Sequence, residues 1–380
     1  MRLALVHDAL FCRGGAERVL LNMHKAFPNA PIYTSIYNPK TCYPEFQKCD
    51  IRTSWLQSVL QSEKAYKNTF FFLGVYAMQS HDLSEYDVIL ASTTHSAKYI
   101  NAGSTNLVIN YCYTPFRLVW NPNSYTKYEN SNGLFRVVFD TIINKLKKLD
   151  YEYAQRANKY LAMTEETAGR IKDNYKIKSK IDLIPPSIDT NGYYISDKID
   201  NYYLLVSRLE KYKKVELAID AFNKLGIPLV IIGRGMEEER LQKKAKKNII
   251  FMGSVPQKKL VEFYSKCNAL IFPQHEDYGL TPLEANACGR PVIAYGKGGI
   301  ETTMVPYIDN QKGNQFTAVF FSKQNVDSLI NAIKSFEALD VDSCFIRKNA
   351  EKFDDKVFIK KLKQFIELEF QIFKDRKQIN

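Results

Sequence analysis

"ALIFPQHEDYGLTPLEANACGRPVIAYGKGG", residues 269–299, packs a strand, a loop, a helix and a second strand into one short run. The apolar residues Ala269–Phe272, closed by Pro273, read as a buried strand, and the polar run from Gln274 to Gly279 reads as the loop leaving it. "TPLE" (281–284) carries the signature of a helix start, with Thr281 as N-cap, Pro282 at the first helical position and Glu284 three residues after the cap. Gly289 and Pro291 stop that helix, and "PVIAYG" (291–296) is the next strand. Two strands bridged by a helix must run parallel, so this stretch predicts a parallel sheet with helices on its faces.

The same alternation extends upstream. "YYLLVSRL" (202–209) precedes the helix "VELAIDAFNKLG", "PLVIIG" (228–233) precedes "MEEERLQKKAKK", and "NIIFMG" (248–253) precedes "KKLVEFYSKC". These strands make a doubly wound α/β domain. Before it, "PPSIDTNGYYISDKIDN" (185–201) breaks the pattern with two prolines, a glycine and a polar run, as a linker does. Further upstream the alternation reappears in "LALVHDA" (3–9), "IYTSIY" (32–37), "DVILAS" (87–92), "LVINYC" (107–112), "KYLAMT" (159–164) and "DLIPP" (182–186), with the longest helix over about 134–157. The expected organisation is two Rossmann-like domains, 1–190 and 191–355, and a closing segment, 356–380, whose "KVFIKKLKQFIELEFQIFKDRK" reads as one amphipathic helix.

Bulk composition agrees with a protein of two cores: 380 residues, 45% hydrophobic and 25% charged. The net charge of +12 attracts polyanions, anionic lipid and phosphate-bearing small molecules alike and selects none of them. The seven cysteines are scattered, with no C-x-x-C pair, which predicts reduced thiols in the cytoplasm and argues against a zinc site. The start, "MRLALVHDAL", meets an acid at Asp8 before any long apolar region, unlike a signal peptide, and the most apolar stretch, "TFFFLGVYAM" (69–78), is about half a bilayer span. "LFRVVFDTIINKLKKL" (134–149) interleaves apolar residues with lysines, so peripheral contact with an anionic membrane is a further expectation. Most aromatics fall inside apolar strands and helices, which argues against a nucleic-acid surface.

Ligands of doubly wound domains bind where loops leave the carboxyl ends of the strands. In the loop after Phe272, Glu276 and Glu284 stand eight residues apart around Gly279, Leu280 and Thr281. A helix N-terminus suits phosphate, a glycine admits close approach, and carboxylates accept bonds from sugar hydroxyls, so the loop fits a ligand with both sugar and phosphate. A capping box would also account for Glu284 and a solvated acid for Glu276. Arg208 and Lys213, in "VSRLEKYKK" (206–214), follow a strand of the same domain and supply cations for a phosphate, unless they are merely solvated. Gly14 and Gly15, in "RGGAERV" (13–19), form either a second backbone anion site or a plain tight turn. "GRGMEE" (233–238) starts like a dinucleotide fingerprint but has Glu238 in place of the third glycine, and "DVD" (340–342) lies in a late polar connection, so neither a nicotinamide cofactor nor a metal is expected.

These residues, together with "HDALFCRGGAERVL" (7–20), "YCYTPFRLVW" (111–120), "IPPSID" (184–189), "VSRLEKYKKVELAIDAFN" (206–223) and "GRGMEEERL" (233–241), resemble the retaining glycosyltransferases of family 4, within them the bacterial O-antigen and exopolysaccharide mannosyltransferase branch. The resemblance spans nearly the whole chain. It implies a GT-B fold, with two Rossmann-like domains facing a central cleft and the closing helix packed back on the first. It implies transfer of a hexose, mannose in this branch, from a GDP- or UDP-linked donor to a growing glycan or lipid-linked oligosaccharide for surface polysaccharide, at the inner face of a bacterial plasma membrane, with no metal.

By the same resemblance Arg208 and Lys213 hold the donor diphosphate, Glu276 takes the transferred sugar, Glu284 the ribose, and Gly14 and Gly15 let the first loop close over the phosphates. Gly279, Leu280 and Thr281 complete the donor site. The chain departs from the branch at Tyr113, where a histidine is usual, and His95, in "STTHSAK" (92–98), is the other sugar-side candidate. Tyrosine cannot share a proton near neutrality as histidine does, which keeps open a catalytically inactive nucleotide-sugar-binding subunit as the alternative.

Overall fold

The computed structural model describes residues 1–60, 73–122, 128, 132–308 and 315–379. The chain divides into two compact units, Met1–Pro186 with Phe358–Asn380, and Ser187–Val357. Residues 69–72 of the apolar stretch considered above lie outside the described residues; residues 73–79 are helical. Among the described residues no helix is long and apolar enough to cross a membrane.

The first unit holds a seven-stranded parallel sheet: β1 (Leu3–His7), β2 (Ile32–Thr34), β3 (Ile51–Thr53), β4 (Val88–Thr93), β5 (Leu107–Cys112), β6 (Lys159–Ala162) and β7 (Asp182–Leu183), in the order β3-β2-β1-β4-β5-β6-β7. Strands β1, β4 and β5 are buried along their whole length, as near-continuous apolar runs covered on both faces must be. Register places His7 opposite Ser92, and Ser92 opposite Tyr111. The helix Gly15–Ala26 turns Val19, Leu20 and Met23 inward, and the helix Gly133–Ala154 buries Ile143, Leu146 and Asp150. The closing helix Asp355–Ile379 buries Phe358, Leu362 and Ile366, spaced by four. Phe358 meets Tyr111 edge to face, and Glu369 pairs with Lys159 at 2.9 Å, both within the first unit.

The second unit holds a six-stranded parallel sheet: β8 (Tyr203–Val206), β9 (Leu229–Ile232), β10 (Ile249–Gly253), β11 (Leu270–Phe272), β12 (Val292–Tyr295) and β13 (Ala318–Phe321), in the order β10-β9-β8-β11-β12-β13. One face is covered by the helices Val215–Leu225 and Val326–Glu337, whose Ala218, Ile219, Phe222, Leu329, Ile333 and Phe336 join one core with Leu205, Ile231 and Ile271. The chain enters and leaves this unit side by side: Ile188 N donates to Phe353 O at 3.0 Å, and Asp355 N to Ile188 O at 3.1 Å.

Both sheets are thus doubly wound. Strands β3 and β13 were not expected. Both are edge strands: β3 is three residues long with Arg52 exposed and leaves no apolar run, whereas β13, a short and largely buried apolar run, was overlooked.

Candidate active site

In the second sheet the order reverses at β8, which has β9 on one side and β11 on the other. Open α/β sheets bind ligands at such a switch point, outside the carboxyl ends of the two diverging strands. The loop after β8 carries Arg208 and Lys213. It is held by Ser207 N donating to Ile232 O (3.0 Å), Leu209 N to Arg234 O (2.9 Å) and Glu237 N to Leu209 O (3.0 Å). This explains "GRG": a Cβ on Gly233, whose φ is +135°, would lie 1.8 Å from Ser207 O, and one on Gly235 would lie 2.3 Å from Leu209 O. The two glycines let one loop backbone press against the other.

The loop after β11 carries Glu276. At its end the helix Leu280–Ala287 begins after Gly279, which has φ +100° and gives no side-chain cap, so Thr281 lies inside the helix and is not its N-cap. The physical reason is the turn: at φ +100° a glycine is needed, and a Cβ there would also lie 3.0 Å from the Phe272 ring. Glu284 therefore completes no capping box. The loop is fastened on its far side to "GKGG": Gly299 N donates to Glu276 O at 2.8 Å, and a Cβ on Gly298 (φ +93°) would lie 2.5 Å from the same oxygen. Glu301, beyond that loop, accepts from Gly298 N at 3.1 Å.

Across the switch point the two loops meet in one charged network. Lys213 Nζ forms an ion pair with Glu276 Oε1, and the two side chains are 12% and 22% exposed. Gln274 Nε2 donates to the same Oε1 at 3.0 Å. Arg208 reaches the Tyr212 hydroxyl at 2.6 Å, and Lys213 Nζ lies 5.0 Å from the Tyr212 ring centroid. Arg208 itself is exposed. The arrangement presents one cation paired with a carboxylate that two donors hold by one oxygen, and a second, solvent-facing cation on the same loop as the first.

Glu284 is placed elsewhere. Further along the helix, it accepts from the Tyr264 hydroxyl at 2.7 Å and interacts with Tyr193. Burial, reinforced by this carboxylate, pushes both phenols far above their ordinary pKa, so they stay protonated donors. Gln274, Tyr212, Tyr193 and Tyr264 were missed by sequence reasoning. Gln274 alone carried a signal, as a polar residue one position beyond the strand-closing proline.

The switch point of the first sheet lies between β1 and β4, and there the chemistry differs. Asp8, directly after β1, is buried and accepts from Thr94 N (2.8 Å), Thr94 Oγ1 (2.6 Å), His95 N (3.0 Å) and Ala97 N (2.7 Å). Burial raises its pKa, but His7, His95 and those hydrogen bonds outweigh it and hold the carboxylate below its usual value. His95 is buried edge-on against Phe116, and burial lowers its pKa to about 4 despite Asp8 nearby.

Tyr113 is also buried. Its hydroxyl lies 2.9 Å from Ser92 Oγ and donates to Ala16 O at 3.1 Å, and Ser92 Oγ lies 3.0 Å from His7 Nδ1. Burial pushes the phenol far above its ordinary pKa. Gly14 caps, and Gly15 opens, the helix that Tyr113 tethers, and Glu17 fills the space beside Gly14, where a Cβ would lie 2.4 Å from Glu17 Oε2. Among the described residues no cluster of His, Cys, Asp and Glu is arranged to hold a metal ion.

Residues 194–353 match the family model described as glycosyl transferases group 1. Over 429 aligned positions the chain is 24% identical to an alpha-1,3/1,6-mannosyltransferase, ALG2, of Candida glabrata, covering 95% of this chain and 90% of that one. It is 29% identical over 102 residues to the O-antigen chain mannosyltransferase C of Escherichia coli, covering 25% of this chain and 28% of that one. Among solved structures, the Anabaena protein HepE in complex with UDP superposes with a TM-score of 0.70 at 15% identity, over 97% of this chain and 100% of that one. The matched family domain, the full-length likeness to mannosyltransferases and the two doubly wound sheets lead to one conclusion: the protein is a glycosyltransferase of the GT-B fold.

Proposed function

We propose that the protein is a retaining hexosyltransferase that moves mannose from a nucleoside-diphosphate donor to a growing glycan, and that the network across β8 and β11 is its donor site. The observation that carries this reading is the Lys213–Glu276 ion pair, at the switch point of the sheet, with Arg208 on the same loop as Lys213 and bonded to Tyr212. As the glycosidic bond breaks, the sugar becomes oxocarbenium-like and the diphosphate gains negative charge. Fixed cations at the leaving group then stabilise the transition state more than the ground state.

In this scheme Lys213 exchanges Glu276 for the diphosphate, joined by Arg208 and the backbone around Gly279, Leu280 and Thr281 at the helix start. Glu276, held through Oε1 by Lys213 and Gln274, accepts a hydroxyl of the transferred sugar through Oε2. Glu284, steadied by Tyr264 and Tyr193, accepts from the ribose, Gly14 and Gly15 form a further backbone anion site, and Tyr113 and His95 shape the sugar side. The leaving phosphate takes the acceptor proton on the same face, which gives retention. Two side-chain cations meet the diphosphate charge, so activity should survive chelation by EDTA.

The mannose assignment draws on the ALG2 likeness, and a bacterial, lipid-linked surface-polysaccharide acceptor draws on the shorter O-antigen likeness. Peripheral attachment to an anionic leaflet draws on the helix Gly133–Ala154, where Phe135 (82%), Val137 (61%) and Val138 (51%) are exposed ahead of exposed Lys145 and Lys148. Vesicles of phosphatidylglycerol should sediment the protein at low salt, and no sedimentation would remove that element.

The test of the function is a panel of GDP- and UDP-sugars with a crude lipid-linked acceptor fraction, read as released nucleoside diphosphate and as the anomeric configuration of the product. Release from GDP-mannose with retention is expected. Tight donor binding without turnover would instead make the chain the nucleotide-sugar-binding subunit that Tyr113 left open.

A further inference from the structure

Gln274 is 3% exposed, one residue beyond the proline that closes β11. The loop around it is pinned at both ends. Gln324 Nε2 donates to Pro273 O at 2.9 Å, and Gly299 N to Glu276 O at 2.8 Å. Its amide has two unlike ends. A carboxylate can only accept, so the Nε2 end must face Glu276, where it donates to Oε1 at 3.0 Å. The Oε1 end then points away, buried and with no hydrogen-bond partner among the described residues. A pinned, buried amide with one hand on the key carboxylate and the other empty is a costly arrangement unless a ligand fills it.

We propose that Gln274 is a positioning and selectivity residue for the transferred sugar. Its Nε2 keeps Glu276 oriented when Lys213 turns to the diphosphate, and its Oε1 accepts a second sugar hydroxyl, so that Gln274 and Glu276 together read a pair of neighbouring hydroxyls on the hexose. This rests on the donor-site reading above. It adds the element that selects among hexoses, since a donor lacking the matching hydroxyl would leave a buried acceptor unpaired.

The test uses full-length protein, Gln274→Leu and Gln274→Glu, with melting temperature checked first. Four quantities are measured: the affinity for GDP and UDP alone, kcat and KM for the accepted nucleotide sugar, the same constants for donors deoxygenated in turn on the sugar, and the pH profile of kcat/KM. In Gln274→Leu the nucleoside-diphosphate affinity should stay within about twofold while kcat/KM for the sugar donor falls about 10- to 100-fold, the loss of roughly one or two hydrogen bonds to a charged or buried partner. One deoxy donor should be discriminated by wild type and no longer by Gln274→Leu.

Gln274→Glu sets two carboxyl groups side by side, so the acid limb of its profile should move toward neutrality by about a unit or more. If Gln274→Leu weakens nucleoside diphosphate and nucleotide sugar equally, or leaves every deoxy donor ranked as in wild type, the inference is overturned. Failure of wild type to bind any nucleoside diphosphate would instead overturn the donor-site reading, and this inference with it.

Discussion

The two sheets reverse direction at equivalent places, β1 against β4 and β8 against β11, and each reversal is spanned by a carboxylate. In the first, Asp8 is buried and saturated by backbone and hydroxyl donors of residues 94–97. In the second, Glu276 is part-exposed and held through one oxygen by a lysine and a glutamine, with an exposed arginine on the lysine's loop. The same topology therefore yields a structural clasp in one unit and a charged, accessible site in the other. What separates them is whether the carboxylate's partners are fixed backbone donors or side chains that a ligand can displace.

The largest effect that could break this contrast is Asp8→Ala. It leaves several buried donors unpaired and should cost about 3–5 kcal/mol of unfolding free energy, measured by urea titration. A loss below about 1 kcal/mol would mean that Asp8 is no clasp. Stability should also depend on pH on that side. His95 is lowered to about 4 in the folded state, so between pH 6.5 and 4 the unfolded chain binds a proton that the folded chain refuses. Its contribution is complete above about pH 6.5 and is lost as pH falls toward 4, up to about 3 kcal/mol. Asp8, whose folded pKa is depressed, loses its contribution only below the ordinary carboxylate range. His95→Gln should flatten the upper slope but not abolish it, because burial also lowers His24 and His81.

Two smaller effects sharpen the comparison. Gly279→Ala forces a side chain into φ +100° and toward the Phe272 ring, and should cost about 1–3 kcal/mol of stability while weakening donor affinity. Tyr113→Phe removes one hydroxyl joined to Ser92 and Ala16 and should cost about 1–2 kcal/mol of stability, with activity largely kept. If Tyr113→Phe abolished turnover while the protein stayed folded, the first unit would hold a catalytic group rather than a clasp.

Much of the fold was legible because buried parallel strands write themselves as apolar runs; "LVINYC" became β5 residue for residue. The edge strand β3 was not, since its three residues include the exposed Arg52, whereas β13 is a short buried apolar run that was overlooked. At the site, the loops carrying Arg208, Lys213 and Glu276 could be located from strand ends and punctuation. Their contact could not, because it depends on β8 and β11 being neighbours in a sheet whose order does not follow the chain. Thr281 misled for a local reason: a threonine followed by proline fits a cap, but Gly279 at positive φ had already turned the chain. Gln274 showed in the sequence only as a polar residue beyond the strand-closing proline; its meaning lies in which end of its amide is occupied.

The most direct measurement is kcat/KM for the accepted nucleotide sugar in wild type and Lys213→Ala, with melting temperature in parallel. The account predicts a fall of about 10²–10³-fold, with melting temperature nearly unchanged, because Lys213 serves the developing charge and not the fold. Undiminished turnover in Lys213→Ala would contradict it and move the donor site away from the β8/β11 switch point.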